Sequence, residues 1–175
     1  MPSSSTVLPE SPFLYTSEQR RRRDASVWTL VQGVLAPLQF LVFLVSLGLV
    51  VRYLATGEGW QAATISIVVK TGVLYLIMVT GSIWEREVFG VWLFAPAFFW
   101  EDVVSIGVLA LHTAYLFALA LDAFDPRVPV LIALAAYLAY VVNAVQFLRK
   151  LRAARLGGEA QEAREGRGVR LEPAR

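Results

Sequence analysis

Four apolar runs, each long enough to cross a lipid bilayer as a helix, leave this chain few ways to fold. They cover roughly Trp28–Tyr53, Ala62–Trp84, Val103–Leu121 and Val128–Leu148. A hydrocarbon core about 30 Å thick needs about 20 helical residues. Inside it every backbone polar group must find a partner within the protein. The expected fold class is therefore all-α, an integral membrane four-helix bundle. A fifth apolar stretch, Val88 to Trp100, is too short to span and contains Gly90 and Pro96. A short re-entrant or interfacial segment between helices 2 and 3 is expected there. Pro37 removes an amide from the first span and should kink it.

The domain organisation follows from the same runs. Residues 1–27 are a polar N-terminal tail with an arginine cluster, 28–150 the four-helix transmembrane domain, and 151–175 a charged C-terminal tail. The C-terminal tail has no apolar periodicity and should be mobile. The N-terminal tail lacks the basic-then-apolar order of a cleavable signal, so the first span is expected to be retained. Positive charge sets the orientation. Arg20 to Arg23 precede the first span, and Arg149, Lys150, Arg152 and Arg155 follow the fourth. Arg86 lies between the second and third spans, and the other two loops carry only Arg52 and Arg127. Both termini should face the cytoplasm. These basic runs are topology signals beside a lipid bilayer, and no nucleic acid is expected as a partner.

The residue inventory removes several chemistries. There is no cysteine, hence no disulfide, thiolate nucleophile or cysteine metal site. His112 is the single histidine, so a multi-histidine metal centre within one chain is excluded. Only 17% of residues are charged, and most lie in the tails, so each ionisable group near a span asks for an explanation. Such a group costs roughly 2.5–3.5 kcal/mol at mid-membrane.

The polar groups gather at one end. Gln32 and Gln39 lie in the cytoplasmic half of the first span, and Thr80, Ser82 and Glu85 at the cytoplasmic end of the second. Glu101, Asp102 and Ser105 open the third, and Asn143 and Gln146 close the fourth. Glu101, Ser105, Val108 and His112 are spaced by 4, 3 and 4, which puts them on one helical face. That face leads from the cytoplasmic interface towards the midplane.

Each feature has a plainer reading. Glu101 and Asp102 suit a helix N-terminus. His112 can be a packing residue bonded to a neighbouring helix. Lys70 can extend its amine to the outer headgroups. Glu85, Arg86 and Glu87 can be a solvated loop, and Trp84, Trp92, Phe98, Phe99 and Trp100 an interfacial aromatic belt. The convergence of acids, amides, an imidazole and aromatic rings at one end favours a functional site.

Three strings carry a resemblance. They are "LYTSEQRRRRDASVWTLVQGVLAPLQFLVFLVSLGLVVRYLATGEG", "VVKTGVLYLIMVTGSIWEREVFGVWLFAPAFFWEDVVSIGVLALHTAYL" and "NAVQFLRKLRAARL". The chain resembles the 3-vinyl bacteriochlorophyllide hydratases (chlorophyllide a 3-vinyl hydratases) of phototrophic bacteria over roughly Leu14 to Leu156. The resemblance implies a hydro-lyase of bacteriochlorophyll synthesis in the bacterial inner, or intracytoplasmic, membrane. Water would add to the C3 vinyl group of a chlorophyllide or bacteriochlorophyllide and give a 1-hydroxyethyl group. No cofactor is expected; the substrate carries magnesium.

The residue roles come from the chemistry of that reaction. Protonating the terminal vinyl carbon needs a strong acid, and capture of the cation by water needs a base. Neighbouring carboxyl groups in an apolar site are driven apart in proton affinity. Glu101 and Asp102 are the candidates for acid, base or both, with Glu85 in reserve. Adjacent helical positions point about 100° apart, so either the helix start is irregular or Glu85 supplies one role. Phe98, Phe99 and Trp100 would form a platform for the flat ring. His112 would ligate the substrate magnesium or move a proton. Arg86, Arg149 and Arg20 to Arg23 are candidates to meet the propionate. Gln39 and Asn143 complete the expected substrate contacts.

A different class of function uses the same cleft: a non-catalytic tetrapyrrole carrier or assembly protein, which needs a magnesium ligand but no acids beside the vinyl group. A small transporter with a site around Lys70 and His112 is a third reading, and the absence of a repeated architecture argues against it. So small a bundle for so large a ligand is compatible with a homodimer or with docking to other pigment-synthesis enzymes.

Overall fold

A computed structural model describes residues 14–121, 125 and 127–169, excepting the side chains of 127 and 158–169. The first thirteen residues of the N-terminal tail and residues 170–175 lie outside the described residues. Five helices follow one another: α1 (Ser17–Ala25), α2 (Val27–Thr56), α3 (Trp60–Phe89), α4 (Phe99–Leu121) and α5 (Arg127–Val169). Helices α2 to α5 contain the four segments long and apolar enough to cross a membrane. The protein is a multi-pass, all-helical membrane protein, and the described residues contain no strand.

The helices pack as two antiparallel hairpins, α2–α3 and α4–α5. Gly57 and Gly59 make the first tight turn, both with positive φ, where a side chain would be strained. Ala133 and Ala136 are buried on α5, and small residues there let α4 and α5 approach closely. Between the hairpins, long side chains make the contacts. Phe43 of α2 meets Tyr137 and Tyr140 of α5 at 5.5 and 4.7 Å between ring centroids. Lys70 of α3 meets His112 of α4. Outside, Leu30, Leu41, Val45, Leu131 and Leu138 are exposed, as a lipid-facing surface requires.

Several boundaries differ from the sequence expectation. Part of the N-terminal tail is α1, started by a capping box in which Thr16 and Gln19 each bond the other's backbone amide. Tyr15 stacks on Phe89 at 5.8 Å and ties this helix to α3. Burial pushes the Tyr15 phenol above its ordinary value, against the nearby Arg23 guanidinium. Helix α2 continues through Pro37. Helix α5 does not end with the fourth span but runs on to Val169, through most of the segment expected to be a mobile tail. Lys70 does not reach for headgroups. It is 0% exposed and turned into the bundle. The segment 88–100 is divided: α3 keeps Val88 and Phe89, α4 takes Phe99 and Trp100, and residues 90–98 form a loop.

Candidate active site

The loop 90–98 closes the end of the bundle that carries α1, the α3–α4 connection and the arginines after the fourth span. Gly90 stops α3 with φ 84°, and the Arg86 guanidinium donates to its carbonyl at 2.7 Å. Four residues later Phe94 adopts φ 61°, an unfavourable left-handed conformation that costs roughly 1–2 kcal/mol for a residue with a side chain. Two carboxyl groups hold it there. The Phe94 amide donates to Asp102 Oδ2 at 2.8 Å, and the next amide, Ala95, donates to Glu85 Oε2 at 3.1 Å.

Glu85 closes α3 and Asp102 opens α4, so the loop brings them face to face across 17 positions of sequence. Each grips one of two consecutive loop amides, which brings the two carboxyl groups together. Two carboxyl groups can bond only if one of them holds a proton. Both residues are buried. The structure thus sets Asp102, one member of the expected pair, opposite Glu85, the reserve residue.

Glu101 points elsewhere, as the 100° step between adjacent helical residues requires. Its Oε1 lies 3.1 Å from Lys150 Nζ on α5. Lys150 also donates to the Ala97 carbonyl and lies 5.4 Å from the Phe98 ring centre. The other oxygen, Oε2, is buried without a partner among the described residues. The structure therefore turns Glu101 towards Lys150 and away from the loop amides that Glu85 and Asp102 hold. Lys150 was read from sequence only as a topology signal. Its place at the same end of the bundle as Glu101 was the available clue.

The aromatic residues divide as well. Phe98 is buried in a cluster with Trp84, Phe89 and Phe147, at 5.6, 5.8 and 6.4 Å. Trp84 donates its indole N–H to Thr29 at 2.9 Å, which fixes that cluster to α2. Phe99 and Trp100 are 43% and 69% exposed and turn outward. The structure thus puts Phe98 behind the acids and does not bring Phe99 and Trp100 to them.

Deeper in the seam, Asn143 and Ser105 bond each other, with Asn143 Nδ2 at 2.9 Å from the Ser105 hydroxyl. Gln39 is 2% exposed, and neither atom of its amide has a partner among the described residues. His112 is 0% exposed. Its Nδ1 lies 2.8 Å from the Val108 carbonyl, and its Nε2 lies 2.7 Å from Lys70 Nζ. A carbonyl only accepts, so Nδ1 carries the hydrogen and Nε2 offers its lone pair to the lysine. Magnesium ligation by His112 would need that same lone pair and so competes with the Lys70 bond. Among the described residues no cluster of three or more acids and histidines is arranged to hold a metal ion.

Fold and site together define a small polytopic membrane protein with a buried pair of carboxyl groups under one end loop. The profile of the family described as 2-vinyl bacteriochlorophyllide hydratase (BCHF) matches residues 15–153, and the chain belongs to that family. It is 76% identical over 106 residues to the 2-vinyl bacteriochlorophyllide hydratase of Cereibacter sphaeroides, covering 61% of this chain and 66% of that one. It is 71% identical over 111 residues to the Rhodobacter capsulatus protein of the same name, covering 63% and 65%. The matched region thus spans just under two thirds of these relatives' length. No solved structure matches the chain.

Proposed function

We propose that this protein is a hydratase. It adds water to the ring-A vinyl group of a chlorophyllide or bacteriochlorophyllide, position 3 in the numbering used above and position 2 in the family's name. The observation that carries the reading is the Glu85–Asp102 pair in a chain of this family. The pair donates a proton to the terminal vinyl carbon. The resulting cation, centred on the carbon attached to the ring, is delocalised by the macrocycle. Water bonds to that carbon and gives its second proton to a base, so the net change is one water gained. Glu101 is the base: its Oε1 lies beside the Lys150 amine, and its Oε2 is a buried acceptor without a partner among the described residues. Transfer of the proton back to the acid pair completes the cycle without a cofactor.

Gln39 and Asn143 offer hydrogen bonds to polar groups on the ring edge. Phe98 backs the acids, and Phe99 and Trp100 present an outer aromatic surface from which a flat pigment can enter out of the bilayer. Arg86 and the other arginines at this end support a cytoplasmic orientation for it in the inner membrane, with both termini on that side.

The test uses purified protein in detergent with 3-vinyl chlorophyllide. The pigment should gain the mass of one water. Pigment that binds tightly and leaves unchanged would make the protein a carrier and overturn the hydratase.

A further inference from the structure

The chain has two lysines, and the structure treats them differently. Lys150 lies beside a carboxylate. Lys70 is completely buried, and among the described residues no carboxylate pairs with it. One of its N–H groups is spent on His112 Nε2. Around the rest of the amine are aromatic rings: Tyr140, Tyr137 and Phe43, with centres 4.3, 5.3 and 5.8 Å from Nζ. Ring faces attract a cation but do not neutralise it. A buried cation without a counter-charge is costly in a membrane, and an ammonium has three donors to satisfy. His112 cannot rotate away, because its other nitrogen is fixed on the Val108 carbonyl. The site is thus a held donor facing rings.

We propose that Lys70 is the counter-charge for the free propionate of the pigment. The inference rests on the hydratase reading and says which end of the substrate goes where. His112 lies ten residues after Asp102 on α4, about 15 Å of helical rise. The vinyl group and the propionate leave the macrocycle from well-separated points on its edge, and the propionate chain adds further reach. With the vinyl group at Glu85 and Asp102, the ring lies along the seam between the hairpins and its carboxylate arrives at Lys70. The Gln39 amide, on α2, is also buried without a partner among the described residues. The arginines that the sequence offered to the propionate are already engaged in part: Arg86 with the Gly90 carbonyl, Arg23 with Asp24, Arg21 and Arg22 with Glu18. A carboxylate reader of this kind makes the protein selective for the free acid, before a long alcohol is esterified to it. A reaction that forms that ester has to follow this step.

The experiment compares binding and turnover of 3-vinyl chlorophyllide with its methyl ester. Wild type should prefer the acid by about 100-fold in affinity, the scale of a buried charge pair with one partner removed. Lys70→Met, which keeps the length and removes the charge, should bind acid and ester alike. The wild-type comparison needs no variant, so it decides the matter even if Lys70→Met fails to fold. Equal binding and hydration of acid and ester by wild type would overturn the inference and leave the hydratase standing. Hydration of neither would overturn the hydratase itself.

Discussion

The two polar centres of this bundle are built in opposite ways. At the loop end, each carboxyl group is held by something next to it: Asp102 and Glu85 by consecutive amides, Glu101 by Lys150. At the Lys70–His112 centre, the charged group is held by one ring nitrogen and the faces of three rings drawn from α2 and α5. The first centre has its electrostatics arranged before any ligand arrives, as a site for proton transfer should. The second is left incomplete, as a site for recognition can be. Damage to the first should therefore appear in turnover, and damage to the second in binding and stability.

The largest effect tests the first half of that contrast. Asp102→Asn keeps the loop's shape and removes the acidic proton. Turnover per folded, pigment-binding molecule should fall by about 10²–10⁴-fold, with affinity little changed, and Glu85→Gln should do the same. The double variant should be scarcely worse than either single one, because the pair shares one proton. Additive losses in kcat would mean that the two residues act separately.

Next comes His112→Leu. It strands the Lys70 amine and should cost about 3–5 kcal/mol of stability, read by unfolding in detergent. Combining it with Lys70→Met should restore most of that loss. If the double variant is no more stable than His112→Leu, the stranded charge is not the cause.

Glu101→Gln comes third. Loss of the base should lower turnover by about 10²-fold, the small end of such effects. Lys150→Met should lower it less, because the carboxylate itself remains. A Glu101→Gln protein with normal turnover would reduce Glu101 to a structural partner of Lys150. The smallest effect is expected at Ser105→Ala, which breaks the bond to Asn143 between the two centres. It should cost about 1 kcal/mol or less, the usual size of one hydrogen bond between membrane helices, and leave turnover intact.

Much of the fold was legible because the membrane makes it so. Long apolar runs have few alternatives in lipid, and each of the four runs read from the sequence lies within one long apolar helix. The α1 helix was missed although its start signal, Thr16 followed three residues later by Gln19, is in the sequence. Its four consecutive arginines drew attention as charge rather than as a helix. At the site, the acids were legible as residues but not as a pair. Sequence neighbours suggested Glu101 with Asp102, whereas the turn of the helix gives Asp102 to Glu85 and Glu101 to Lys150. The transporter reading grouped Lys70 with His112 by depth, but nothing local gave their direct contact. They are 42 positions apart and meet only because the hairpins dock. Lys70 looked like a surface lysine because depth along a span is readable from sequence and the direction of a side chain is not.

The left-handed backbone at Phe94 ties the geometry of the end loop to the fate of a single proton. Its amide is gripped by Asp102, the carboxyl group proposed to share a proton with Glu85. A protonated oxygen is a poorer acceptor than an ionised one, so the grip should tighten when the acid has given its proton away and slacken when the proton returns. Shape and charge then change together, once per turnover, at the membrane surface. Trp92, two residues upstream and 59% exposed, stands where its fluorescence would register that beat. A stopped-flow trace of indole emission that stays flat while pigment is being hydrated would show that loop and proton are uncoupled.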